Sequence, residues 1–182
     1  MPRPPKPTLP PEYTRAALLV IDVQDGMFHK TTPVYRADQL IHNINALVER
    51  AHRCGAPVIY VQHSGQRDLV RGTPGWQLHP DLHPLETDPI VHKEQGNAFE
   101  NTTLTEILNA RQVGRVVVTG MVTHGCVKAT CLGARELGYP VTLVTDAHSS
   151  YSQDAAALVE KWHANLSKEG VTLLPTAEVQ FE

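Results

Sequence analysis

Short apolar runs separated by helix-patterned segments recur along this chain, and that alternation constrains its fold more than any other feature. Ala16 to Val23 (AALLVIDV) is almost wholly apolar, as a strand buried on both faces of a sheet must be. Further runs of this kind are Val58 to Val61, Ile90-Val91, Val116 to Thr119, Val141 to Val144 and Val171 to Leu174. Between them, Leu40 to Arg53 carries apolar residues at helical spacing and stops at Gly55 and Pro57. Thr103-Leu104-Thr105-Glu106 has the form of a capping box opening a second helix. A third is expected from near Gly125 to Leu137, ended by Gly138-Tyr139-Pro140, and a fourth over Ala155 to Lys168. Strands alternating with helices imply right-handed crossovers. The predicted fold class is therefore α/β: a three-layer α/β/α domain on a mostly parallel, six-stranded, doubly wound sheet.

Two segments stand outside this pattern. Residues 1–11 (MPRPPKPTLPP) are too rich in proline for helix or sheet and read as an extended arm, disordered or lying against a neighbour. Residues 12–182 form a single domain. Within it, residues 64–86 show little regular pattern, and a connection of that length is usually functional or disordered.

Composition narrows the function. The formal net charge of −3 offers no basic face for nucleic acid. No run approaches the roughly 18 apolar residues of a membrane span. The first residues lack the apolar core of a signal peptide, so a cytoplasmic location is expected. Cys54, Cys126 and Cys131 are too few, and odd in number, for a disulfide framework. Cys54 and Cys131 read as small buried hydrophobes.

In open α/β sheets ligands bind beyond the carboxyl ends of the strands, so polar residues just past each apolar run are candidates. These are Asp22 and Gln24, Gln62-His63, Lys93-Glu94, Thr123, His124 and Cys126, and Asp146. A carboxylate inside ALLVIDVQ is costly to bury unless paired, and Lys93 is a candidate partner. Each also has a plainer reading, as a loop-capping aspartate or a snorkelling lysine. Cys126 is expected at or near the first turn of its helix, where free N–H groups and the helix dipole would lower the thiol pKa. Gly120 and Gly125 permit the tight turn into that helix, and its exposed amides could receive an oxyanion.

Three segments carry a resemblance to a known family: Ala17 to Phe28 (ALLVIDVQDGMF), Val91 to Thr103 (VHKEQGNAFENTT) and Val116 to His148 (VVVTGMVTHGCVKATCLGARELGYPVTLVTDAH). The chain resembles the isochorismatase-like cysteine hydrolases, which include nicotinamidases, N-carbamoylsarcosine amidases and streptothricin-type hydrolases. The resemblance implies a catalytic triad of Asp22, Lys93 and Cys126, and a cis peptide between Met121 and Val122. It also implies an oxyanion hole from the amides of Val122 and Cys126. The implied activity is cleavage of an amide, lactam or carbamoyl-type C–N bond through an acyl-thioester. The implied assembly is a homodimer or higher homo-oligomer.

Two departures sharpen that expectation. The nicotinamidase branch carries an Asp-x-His metal motif after the second strand, where this chain has Gln62-His63-Ser64. A non-metal branch without cofactor is therefore expected. Isochorismatase itself lacks the nucleophilic cysteine, so vinyl-ether hydrolysis is the alternative reaction, beside a catalytically inactive relative that binds a small molecule or a partner. His124 is a rival base for Cys126, or a pocket residue together with Gln24, Phe28, His63 and Trp76. A dinucleotide-binding domain is disfavoured because Asp22-Val23-Gln24-Asp25-Gly26 lacks the glycine-rich fingerprint.

Overall fold

The computed structural model describes residues 7–182, so the first six residues of the expected arm lie outside the described residues. The rest of that arm lies against its own domain. Leu9 packs on one of the two cores. A Cβ on Gly138 would meet the Pro7 carbonyl at 2.1 Å, and its φ of +90° suits glycine.

Six strands form one sheet: β1 (Arg15–Ile21), β2 (Val58–His63), β3 (Ile90–Lys93), β4 (Val113–Met121), β5 (Val141–Ser149) and β6 (Thr172–Leu174). Every neighbouring pair is parallel, in the order β3-β2-β1-β4-β5-β6. The helices are α1 (Ala37–Arg53), α2 (Leu104–Ala110), α3 (Lys128–Glu136) and α4 (Ala155–Lys168). This is the α/β architecture expected from the alternation of apolar runs.

The period of two along β1 divides the core in half. Ala16, Leu18 and Val20 face α1 through Ile44, Leu47 and Val48, with Val179 and Phe181 of the C-terminal segment. Ala17, Leu19 and Ile21 face Leu104 and Leu108 of α2, Cys131 and Ala134 of α3, and Leu166 of α4. Each Val, Leu, Ile or Phe among them, fully withdrawn from water, contributes about 1.5–3 kcal/mol. β1 is thus central because it is apolar on both sides.

Several local expectations need correction. Thr103 makes no capping hydrogen bond, so the box does not form. Thr102 takes its place, accepting from Leu104 N (3.2 Å) while donating to the Ala98 carbonyl (2.6 Å). Cys54 is exposed, at the end of α1, whereas Cys131 is buried. The 64–86 connection is laid back on the domain, with Leu69, Trp76 and Leu82 buried. Its Leu78 forms an antiparallel bridge with Gln24. Among the described residues no helix is long and apolar enough to cross a membrane.

Candidate active site

The strand order reverses between β1 and β4, so their connections diverge to opposite sides and open a crevice at the carboxyl ends. The residue after β1 is Asp22, whose φ of +51° turns the chain sharply there. Its N–H still donates to the Val61 carbonyl (3.0 Å), so β2 holds the turn in place. This close approach needs Gly120 at the end of β4. A Cβ on Gly120 would lie 2.1 Å from the Ile21 carbonyl oxygen, and its φ is +111°.

Alternation along β3 sends Val91 and Lys93 inward and leaves Ile90 and His92 exposed. The Lys93 side chain is fully buried and reaches across β2 toward Asp22. Its Nζ lies 3.0 Å from Asp22 Oδ2, 3.1 Å from His63 Nδ1, 3.0 Å from the Gln95 carbonyl and 3.2 Å from Cys126 Sγ. The ammonium therefore sits at the centre of a ring of acceptors. Asp22, His63 and Cys126 each bring one donor atom within 4.8 Å of the others, a grouping that could suit a metal ion. Lys93 Nζ lies within hydrogen-bond reach of all three, so the cation they share is the protein's own.

Cys126 stands in a wide turn, Thr123–Val127, interrupted at Gly125 (φ −113°, ψ −110°) before α3 begins at Lys128. The Met121–Val122 peptide leading into it is cis. The turn closes on itself, the Val122 carbonyl accepting from Gly125 N (3.0 Å) and Val127 N (3.3 Å). Cys126 thus lies near the start of α3, as expected, but its thiol pKa is not lowered. Burial pushes it up to about 12, aided by the charge of Asp22 and opposed by Lys93. Burial likewise raises the pKa of Asp22, against the pull of Lys93 and of the nearby Cys126 thiol. His63 is shifted down by burial and by the neighbouring ammonium, which keeps its ring neutral and able to accept from Lys93. At rest the thiol holds its proton beside a carboxylate of strengthened basicity.

The other candidates fall in different places. Gln24 is fully buried, and its amide is committed to backbone. It donates to the carbonyls of His63 (3.0 Å) and Trp76 (2.8 Å) and accepts from His63 N (2.8 Å). It clamps the long connection to the end of β2 rather than lining a pocket. Trp76 is buried, donates its indole N–H to Ser64 Oγ (3.0 Å) and packs at a tilt against the His92 ring, so it anchors that connection. Phe28 packs against His79 at 4.3 Å and lines a separate cavity with Ala37, Ile41 and His42. His124 shares the turn with Cys126, and its buried Nδ1 has no hydrogen-bond partner among the described residues. Asp146 does not join the crevice, because its carboxylate accepts from Thr176 N (2.8 Å) and Thr176 Oγ1 (2.7 Å).

The apolar pattern of the fifth strand ends at Val144, so it missed His148. β5 in fact runs on to Ser149 and sets His148 beside Gly120. The Gln95 carbonyl was also missed, its one sequence signal being adjacency to Lys93-Glu94.

Comparison with known proteins identifies the family and the fold. The family model described as the Isochorismatase domain matches residues 16–178. A streptothricin hydrolase of Streptomyces noursei is 36% identical over 142 residues, 77% of this chain and 51% of that protein. The chain thus spans about half the length of that relative. The isochorismatase family protein YddQ of Bacillus subtilis (strain 168) is 34% identical over 136 residues, 72% of this chain and 76% of YddQ. The crystal structure of an isochorismatase from Pseudomonas putida KT2440 superposes with a TM-score of 0.84 at 29% identity, covering 93% of this chain and 92% of that one.

Proposed function

The chain belongs to the isochorismatase family, and on that footing we propose that it is a cysteine hydrolase of small molecules, cleaving an amide, lactam or carbamoyl-type C–N bond. One observation carries the reading. A buried ammonium, Lys93 Nζ, holds Asp22 Oδ2 at 3.0 Å and Cys126 Sγ at 3.2 Å, so that acid, cation and thiol meet at one point. Asp22 Oδ1 has no hydrogen-bond partner among the described residues and is left for the thiol hydrogen.

The proton moves from Cys126 to Asp22 as Sγ attacks the substrate carbonyl. The raised basicity of Asp22 favours this transfer, and Lys93 balances the negative charge that stays at the site. The oxyanion rests on the amides of Val122 and Cys126. Asp22 passes its proton to the leaving nitrogen, the C–N bond breaks, and an acyl-thioester remains. Asp22 then takes a proton from water, whose oxygen attacks the thioester. The acid departs and Cys126 regains its hydrogen from Asp22.

The test is a panel of primary amides, lactams, ureides and carbamoyl compounds, assayed for ammonia or acid release. Cys126→Ser should lose at least about a thousandfold in turnover while keeping its melting temperature. Full activity in that variant would refute the assignment. No turnover of any panel member, with binding retained, would favour the inactive relative.

A further inference from the structure

Behind the Cys126 turn, three side chains outside the triad form one hydrogen-bonded line. Thr123 Oγ1 lies 2.8 Å from His148 Nδ1, and His148 Nε2 lies 2.9 Å from His163 Nε2. Thr123 is fully buried and His148 is 5% exposed, so water cannot readily replace these partners. His148 reaches this position through an irregularity in β5. Val118 pairs with Leu143, but Gly120 pairs with His148, so β5 bulges between them and delivers the ring to the end of β4.

The proton positions follow from the neighbours. Two ring nitrogens 2.9 Å apart require one hydrogen between them, because two lone pairs or two N–H groups repel. His163 Nδ1 faces Glu160 Oε1 at 3.7 Å, and the carboxylate favours a hydrogen on that nitrogen. His163 Nε2 is then an acceptor, and His148 Nε2–H donates to it. That leaves His148 Nδ1 to accept the hydroxyl hydrogen of Thr123. Burial keeps the His148 ring neutral, its pKa held down to about 3, as this arrangement requires.

Thr123 opens the turn that carries Cys126 and follows directly on Val122. Backbone bonds to the Val122 carbonyl shape the turn from within, whereas the Thr123 side chain ties it to β5 and α4. We propose that His148 and His163 are positioning residues: they hold Thr123, and through it the aim of the Val122 and Cys126 amides at the oxyanion. This rests on the reading of Cys126 as the nucleophile. A misaimed amide weakens oxyanion binding in the transition state without touching the thiol. The line therefore governs kcat rather than substrate binding.

The test separates oxyanion aim from thiol chemistry. Acylation is followed as p-nitrophenolate released from p-nitrophenyl acetate, with the acyl group located on Cys126 by mass. Alkylation by iodoacetamide, which needs no oxyanion hole, reports the thiol alone. Thr123→Val and His163→Leu should each lower kcat about ten- to a hundredfold, with KM and the alkylation rate within about twofold of the parent. Thr123→Ser, which keeps a hydroxyl, and His163→Gln, whose amide oxygen can accept from His148, should recover kcat to within about threefold. Should His163→Leu fail to fold, Thr123→Val carries the test, since it exchanges one buried hydroxyl for a methyl. Parental kcat in Thr123→Val overturns the proposal, as does a parallel loss of alkylation, which marks a merely structural role. A Cys126→Ser chain that still turns over refutes the nucleophile reading instead, and the two failures are told apart.

Discussion

Replacing Lys93 by Met removes the one ammonium that faces Asp22 among the described residues and leaves the packing volume nearly unchanged. Asp22 is 1% exposed, its Oδ1 has no hydrogen-bond partner among the described residues, and its Oδ2 faces Lys93 Nζ at 3.0 Å. Without the lysine a buried carboxylate stands uncompensated, an arrangement that typically costs about 3–5 kcal/mol. The chain can limit this loss by protonating Asp22. Burial already raises the pKa of Asp22, and loss of the opposing charge raises it further. The folded state then holds a proton that the unfolded chain, with an ordinary pKa of about 3.9, releases. Stability conferred by that proton is complete below the unfolded pKa and is lost as pH rises through the folded pKa. The penalty therefore grows between pH 5 and pH 7, by at most about 1.36 kcal/mol per pH unit, from a smaller value in acid toward about 4 kcal/mol. For a chain of this size the larger figure lowers the melting temperature by roughly 10 °C. Guanidinium unfolding of parent and variant across that pH range, read by tryptophan fluorescence, measures both the size and the slope. Adding Asp22→Asn to Lys93→Met should flatten the slope and return most of the loss. A penalty independent of pH, or one that grows toward acid, would refute the reasoning.

Four further expectations concern the crevice and the connection clamped beside it. Asp22→Asn should cut turnover about 10²–10⁴-fold while His124→Ala stays within about tenfold, measured on any compound the parent hydrolyses; the reverse order would make His124 the base. Because Asp22 must be ionised to act and its pKa is raised, kcat/KM of the parent should climb with pH along a limb lying above the ordinary carboxylate range. Gly120→Ala should destabilise by at least about 3 kcal/mol, since its Cβ would meet the Ile21 carbonyl in a backbone conformation that side chains avoid. Denaturant midpoints within about 1 kcal/mol of the parent would contradict that. Gln24→Leu should cost about 2–4 kcal/mol by stranding the His63 N–H and carbonyl. Limited proteolysis should then cut the 64–86 connection faster, and an unchanged digestion pattern would show that Gln24 does not clamp it.

The chain alone was enough to place Asp22, Lys93 and Cys126 at strand ends, because each lies just past an apolar run. In an open parallel sheet every carboxyl end points the same way, so position along the strand becomes position in space. β1 was equally legible, since burial on both faces leaves a continuous apolar run and nothing polar to obscure it. The limits of β5 were not. Hydrophobic periodicity registers apolar burial, whereas His148 is buried by hydrogen bonds to Thr123 and His163, and a buried imidazole looks like a loop residue in sequence.

Only the tertiary structure decided what those side chains do there. That Gln24 and Trp76 anchor the long connection depends on side-chain amides and backbone carbonyls brought together from three separate segments. The state of Cys126 turned on burial as well: a position near a helix start suggested a lowered pKa, but withdrawal from water beside Asp22 raises it. Sequence order could specify the chemical groups and the edge they share, because those follow from local pattern. Their charges and partners arise from desolvation and distances of about 3 Å between residues far apart in the chain, and no local pattern encodes those.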